Sequence, residues 1–472
     1  MPCVFRLYRT SLNIMNCFQK LNPSNLQDSS QSDKSILNSK KFRTLYKFTS
    51  WILPTKKLRL NYKNICSNLD LNKDFFIVQK NYKKIIERIN SQNRKIRVAF
   101  LIRENQKWTY QSLYDEFAKS SNFEPLVLVS ILTLAAKGKD KTRNNLLENY
   151  IFFKEKGMNV DFAYKDGEYI DLNTFKPDII FYDQPWDLPE IHAPCHVSNF
   201  ALTCYSPYGY ELLEKENAYT QEFHHFLYKF FIEHEDNMKR YASYNKSNIN
   251  NCVLTGYPKM DMFLEKQNVS CNLWRDNDKF KIIYAPHHSF EKKDIQLATF
   301  CKNGKFILEL AKKHPETTWI FKPHPRFKYA LLRNKIMNEA KIDDYYAEWS
   351  KIGCVYNGGN NFSLMTTSDL MITDCCSYLA EYVPTLKPLI RLINSKSCKL
   401  NEIGQRIMRG YYSVNNIDEL ESIFNELVTY KNDNKKIERQ AIKNNLFDSN
   451  ETSAHKIYSY LLNNIICKEK VA

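Results

Sequence analysis

The chain has 472 residues, 43% of them hydrophobic and 14% aromatic, and carries a formal charge of +16. That is room for two domains with large cores, and it excludes global disorder. The longest apolar stretch, Leu126–Ala136, falls short of the ~20 residues that cross a bilayer. No apolar region ahead of a small-residue cleavage site follows Arg6 and Arg9, so no signal peptide is expected and a cytoplasmic location follows.

The charge is concentrated at the start. Residues 1–90 hold 17 Lys/Arg against 5 Asp/Glu, and Ser39–Lys63 contains no acid. There Lys40, Lys41, Arg43, Lys47, Lys56, Lys57, Arg59 and Lys63 alternate with Phe42, Tyr46, Trp51, Ile52 and Leu58. Basic residues near an anionic lipid surface each contribute roughly 1 kcal/mol, and interleaved apolar side chains enter the headgroup boundary. The segment is therefore expected to hold the protein peripherally on the inner face of the cell membrane, as two short helices broken at Pro54. A solvated basic tail is the simpler alternative. A nucleic-acid arm fits the charge but not the aliphatic content, and no nucleic-acid partner is expected.

From Lys95 the pattern becomes α/β. Lys95–Ile102, Leu126–Leu132 and Pro177–Tyr182 read as buried strands separated by helix-length stretches such as Arg143–Glu155, which implies a doubly wound parallel sheet. Val253–Asp261 closes this half with a strand and a Gly/Pro turn, and the polar stretch Leu264–Asp278 suits a linker. His192-Ala-Pro-Cys195-His196 resembles a metal cluster but lacks a second ligand pair at structural-zinc spacing. The thirteen cysteines are dispersed and read as thiols.

A second series begins at Phe280. Three short strands, Lys281–Tyr284, Thr318–Phe321 and Leu370–Ile372, each deliver polar residues where the strand would end: His287-His288, Lys322-Pro-His324-Pro-Arg326, and Thr373-Asp374-Cys-Cys-Ser377. Parallel strand ends converge on one crevice, where ligands bind. Ser377 opens a helix whose N–H groups suit a phosphate, and Glu381 on that helix could accept from ribose hydroxyls. Asp374 and Ser377 could instead merely cap the helix. Ile417–Tyr430 and Glu438–Ile466 read as terminal helices.

These motifs carry a resemblance. Tyr284-Ala-Pro286, Lys322-Pro-His-Pro325, Asp369 through Ser377, and Lys387-Pro388 resemble those of the CDP-glycerol glycerophosphotransferase family of teichoic-acid and capsule polymerases. The resemblance covers about residues 250–395. It implies an α/β, GT-B-like fold of two Rossmann-like doubly wound domains facing across a cleft, with a basic membrane-association segment ahead of them. The expected division is 1–90 for that segment, 91–262 for an acceptor domain, 275–430 for a nucleotide-donor domain and 431–472 for C-terminal helices.

The resemblance further implies transfer of glycerol phosphate from a CDP-activated donor to a glycan or lipid-linked acceptor, with release of CMP. His288 and His324 would be catalytic, supplying positive or hydrogen-bonding groups to the donor phosphates, where as cations they could stabilise charge on the leaving nucleotide. His287, Lys322, Arg326, Thr373, Asp374, Ser377 and Glu381 would bind the donor, with no metal and no cofactor. Two departures stand out. Ser289 follows His288 where many members carry Arg. In place of the family's His-Gly motif stands Cys204-Tyr-Ser-Pro-Tyr-Gly-Tyr210, so the catalytic base is reassigned to Asp183 at a strand end. A transferase of CMP- or UDP-activated sugars remains open, because bacterial sialyltransferases share the His-Pro and downstream Ser. A nucleotide-sugar 2-epimerase is disfavoured by the missing Gly-Gly, and a binding scaffold on a degenerate transferase fold is the non-enzymatic alternative.

Overall fold

A computed structural model describes residues 56–466, apart from 138–144, 216–220, 245–248, 265–268, 292–294, 359–360 and 448–450. The chain divides into two compact units, Met1–Asp74 and Phe75–Ala472. Of the first, the described part is the start of a helix spanning Lys56–Ser91. Most of the basic segment expected to lie on membrane, Pro54 included, falls outside the described residues. No described helix is long and apolar enough to cross a membrane.

The larger unit is built on two all-parallel sheets. The first contains β1 (Ile96–Ile102), β2 (Phe123–Val129), β3 (Val160–Phe162), β4 (Ile179–Tyr182), β5 (Leu202–Tyr205), β6 (Lys229–Ile232) and β7 (Cys252–Leu254), in the order β3-β2-β1-β4-β5-β6-β7. The second contains β8 (Phe280–Ala285), β9 (Thr317–Phe321), β10 (Cys354–Val355), β11 (Leu370–Thr373), β12 (Leu389–Leu392) and β13 (Tyr412–Val414), in the order β10-β9-β8-β11-β12-β13. Central strands such as β4, β9 and β11 are buried at every position. That is why they read as continuous apolar runs rather than alternating ones. Strand order reverses beside β1 and beside β8, the topological switch points at which such sheets bind ligands.

Packing on both sheets is aromatic-rich. In the second, Phe321 stacks on Trp349 at 5.2 Å between ring centroids, and Tyr284 lies 5.7 Å from Phe321. These rings fix the strands that carry the histidine loops. Val78, Tyr82, Ile85 and Ile89 place one face of the long helix in the core of the larger unit, and the Tyr82 hydroxyl reaches Thr203 Oγ1 at 2.5 Å.

The expected helix Glu438–Ile466 is two helices, Lys436–Leu446 and Ser453–Ile465. Phe447 is extended, and Thr452 caps the second helix by accepting from the His455 N–H. That last helix returns to the first sheet. Asp261 accepts from its first N–H groups, Ser453 and Ala454, both at 2.8 Å, and Tyr458 meets the Phe117 and Phe123 rings.

Asp183 requires a correction. It does lie at the end of β4, but its carboxylate is buried and accepts from the Arg103 N–H at 2.8 Å and from Arg103 Nε and Nη2 at 3.0 and 2.6 Å. It therefore joins the ends of β1 and β4 and is not available to take a proton from a substrate. Removing one partner of a buried ion pair strands the other, at about 3–5 kcal/mol. Asp183→Ala should lower stability by that order in chemical denaturation, with turnover per folded molecule little changed.

Candidate functional site

The site is assembled by register. Tyr284 pairs with Phe321 on one side and with Ile372 on the other, and Ala285 pairs with Thr373. Strands β8, β9 and β11 thus end level, and the loops beginning at Pro286, Lys322 and Asp374 open onto one crevice. Asp374 binds these loops together. One carboxylate oxygen accepts from the His287 N–H at 2.6 Å, and the other accepts from the Thr299 N–H and hydroxyl at 2.6 and 2.9 Å. Burial pushes its carboxyl up to about 6, against the hydrogen bonds that pull it down. Thr373 donates its hydroxyl to Ala285 O and accepts from the Cys375 N–H. The expectation that Thr373 and Asp374 contact a donor is corrected: both face inward and hold the loops. The capping alternative is also set aside for the helix Ser377–Glu381, which has no side-chain cap.

The three histidines come together. The His288 ring stacks on His324 at 3.9 Å, and His287 lies 4.4 and 5.1 Å from the two. His287 Nδ1 accepts from the Ser289 N–H at 3.2 Å and lies 2.8 Å from the Ser289 hydroxyl, which itself accepts from the Leu297 N–H. His324 Nδ1 accepts from the Arg326 N–H at 3.1 Å. A nitrogen accepting from a backbone N–H carries no proton, so the neutral ring bears its proton on Nε2. Both rings therefore present an N–H donor.

Burial, and then the neighbouring His288, holds His287 well below the usual histidine range. Burial, the other two histidines, Arg326 and Lys107 do the same to His324. Of the two roles expected for His324, positive or hydrogen-bonding, these surroundings favour the hydrogen-bonding one, and His287 is placed in the same way. The potential ligand atoms of the three rings lie within 4.8 Å of one another. A metal needs a lone pair, however, and in two of the rings the Nδ1 pair is engaged and Nε2 is protonated. The donor set suits an anion better than a metal ion.

Around the cluster, Lys322 donates to Gly358 O at 2.9 Å and lies over the Tyr356 ring. Burial, then the charge of Lys259, lowers it to about 8. Ser377 Oγ is 3.2 Å from Cys375 Sγ. Glu381 is buried, with both oxygens held by Lys259 Nζ at 2.8 and 2.9 Å. Arg326 and His288 line a small cavity of about 160 Å³ with Tyr329 and Arg333.

The first sheet faces this cluster with residues that the sequence reading passed over. Lys107 acts on His324. It also pairs with Glu104 at 2.6 Å and lies 4.8 Å from the centre of the Tyr208 ring. Glu104 accepts from Gln184 at 2.9 Å. Tyr257 donates to Tyr208 O at 2.9 Å. The strand-end rule applied to β1 would have found Glu104, and applied to β7 it would have found Lys259.

Residues 215–395 match the CDP-Glycerol:Poly(glycerophosphate) glycerophosphotransferase family. The matched span contains β8, β9, β11 and all three loops. Among solved structures, the wall teichoic acid polymerase TagF (H444N variant) is similar at a TM-score of 0.53 and 11% identity, covering 91% of this chain and 98% of that one. UDP-GlcNAc 2-epimerase from Neisseria meningitidis bound to UDP-GlcNAc is similar at 0.51 and 15%, covering 78% and 100%. An S. aureus MnaA–UDP structure is similar at 0.50 and 14%, covering 79% and 98%. No curated protein matches. At these identities the likeness is one of fold, and the fold is GT-B-like, with two parallel-sheet halves across a cleft.

The locked tautomers are testable by histidine ¹⁵N NMR. His287 and His324 should remain Nε2–H tautomers as pH is lowered through 6.5, where an unperturbed histidine titrates. Their folded pKa lies below the unfolded one, so the unfolded chain binds more protons as pH falls. The stability they contribute is complete above pH 6.5 and is lost as pH drops toward the folded value. Titration of either ring near 6.5 would contradict the assignment.

Proposed function

We propose that the protein transfers a phosphoglycerol group from CDP-glycerol to a hydroxyl of a surface-polymer acceptor, releasing CMP. The observation that carries this reading is the pair of neutral Nε2–H donors, His287 and His324, gathered around His288 at the ends of β8 and β9. The family match over residues 215–395 supports the donor class. The acceptor hydroxyl attacks the β-phosphorus, the bond from that phosphorus to the bridging oxygen breaks, and CMP leaves with the electron pair. Preorganised N–H groups aimed at the leaving phosphate stabilise its growing charge without reorganisation.

With Asp183 locked to Arg103, Glu104 at the end of β1 takes its place as the carboxylate that receives the acceptor proton. Ser377 adds a hydroxyl beside the phosphate. Glu381, steadied by Lys259, is set one helical turn further on, toward the ribose.

The experiment is nucleotide release from CDP-glycerol, CMP-sialic acid and UDP-sugars in parallel. CDP-glycerol should be turned over, and release from CMP-sialic acid alone would replace this reading with the sugar-transferase one. His324→Ala should slow CMP release about 10²–10³-fold, the loss expected for one preorganised donor. His324→Gln, which keeps an amide N–H, should recover part of it. Glu104→Gln should depress transfer with CMP affinity unchanged. Near-normal turnover in folded His324→Ala would remove the main support for the proposal.

We further propose that the basic N-terminal segment holds the enzyme on anionic membrane. Deleting residues 1–63 should abolish binding to phosphatidylserine-containing liposomes while a soluble acceptor is still used. Unchanged liposome binding after the deletion would sink this part.

A further inference from the structure

A second cavity, of about 320 Å³, lies on the first-sheet side of the cleft, and the donor reading above leaves it unused. Its walls include Trp108, Thr109, Asp115, Lys156, Lys259 and Phe362. The size is at the lower end of small-molecule sites, ~300–1,000 Å³. It adjoins the donor loops through Lys259, whose ammonium bridges both oxygens of Glu381.

Its charge is balanced. Lys259 is neutralised by Glu381, and the remaining ionic groups named above, Asp115 and Lys156, have opposite signs. A phosphate or polyanion would find no net attraction here, in contrast to the neighbouring histidine cluster with its convergent N–H donors. The polar groups instead favour a ligand rich in hydroxyls. The Thr109 hydroxyl is buried and has no hydrogen-bond partner in the protein. Among the described residues, the Asp115 carboxylate accepts from Gln111 Nε2, at 3.1 and 3.2 Å to its two oxygens. A carboxylate offers about four acceptor sites, so Asp115, which lines the cavity, has capacity left for a ligand there.

The apolar wall is equally specific. Trp108 is held edge-on by Phe153 and Phe100, and its indole N–H is occupied by Gln111 at 3.2 Å. The ring therefore offers surface rather than a donor. An indole ring beside an unsatisfied hydroxyl and a carboxylate with spare acceptor capacity suits a sugar ring, which has one C–H face and hydroxyl donors on its rim.

We infer that this cavity is the acceptor subsite and takes a neutral pyranose unit of the acceptor glycan, Asp115 and Thr109 binding its hydroxyls and Trp108 its apolar face. The inference rests on the transferase reading for the word acceptor, but its binding test does not depend on activity. A nucleobase is the competing occupant. It would bring a single amino donor to the carboxylate and would leave Thr109 unsatisfied.

The test is saturation-transfer NMR on the full chain with lactose and N,N′-diacetylchitobiose as probes, without nucleotide, alongside CMP titration. At least one disaccharide should receive saturation. Gln111→Trp, which fills the cavity, should abolish the signal. Asp115→Asn should weaken binding by about ten-fold or more, as expected for the loss of a charge-assisted hydrogen bond. Both variants should melt like the parent and keep its CMP affinity, and Asp115→Asn should raise the acceptor KM in parallel. Sugar signals surviving Gln111→Trp, CMP affinity falling in place of sugar affinity, or no saturation of either disaccharide would overturn the assignment. If no donor released nucleotide but disaccharide binding followed the variants as stated, the donor reading would fail and the sugar site would stand.

Discussion

The buried Asp374 carboxylate is the constraint on which the site depends. It sits at the end of β11, and its two oxygens take up the backbone of the His287 loop and the start of the helix Phe300–Lys313 through Thr299. Hydrogen bonds to a charged group are worth about 1.5–3 kcal/mol each, and three of them offset part of the cost of burying the carboxylate. Burial still leaves its carboxyl raised to about 6. The carboxylate thus spends its bonding capacity on holding loop geometry. Thr373 repeats the arrangement with its hydroxyl. Two polar residues that look like ligand contacts in the sequence are the fasteners that let the histidines converge.

The histidine cluster shows how a small local bond sets chemistry. In both His287 and His324, the N–H two residues further along the chain takes the Nδ1 lone pair. That bond orients the ring, fixes the tautomer and opposes protonation. Burial and the mutual proximity of the rings act in the same direction. A cluster of imidazolium ions packed this closely would repel itself. Neutral rings at His287 and His324 avoid that cost. Ser289 belongs to this device, since its N–H and hydroxyl both address His287, which gives a physical role to a position where the family resemblance leads one to expect arginine.

The cleft is a product of both sheets. Lys107, Glu104 and Tyr208 come from the ends of β1 and β5, Lys259 from the turn after β7, and the histidines from β8 and β9. The terminal helix Ser453–Ile465 then returns to the first sheet, where Asp261 caps it. The last segment of the chain thereby fastens the half that begins it, a long-range contact with no local signature.

The α/β class, the central strands of both sheets and the three polar loops after β8, β9 and β11 were all legible in the sequence. Buried parallel strands must be apolar at every position, and their polar ends mark the crevice. The motif spacing also carried the family resemblance that the match over residues 215–395 bears out. What the sequence could not distinguish was which partner each strand-end carboxylate would take. Asp183 and Glu104 both follow strands of the first sheet, yet Arg103 claims the first while the second pairs with Lys107 and accepts from Gln184. Tautomer and charge state were equally hidden, because they depend on which backbone N–H meets which ring nitrogen and on burial created by distant elements. Residue type and spacing determined which chemistry was available. Three-dimensional proximity, through hydrogen-bond pairing and desolvation, decided how each of those groups is engaged.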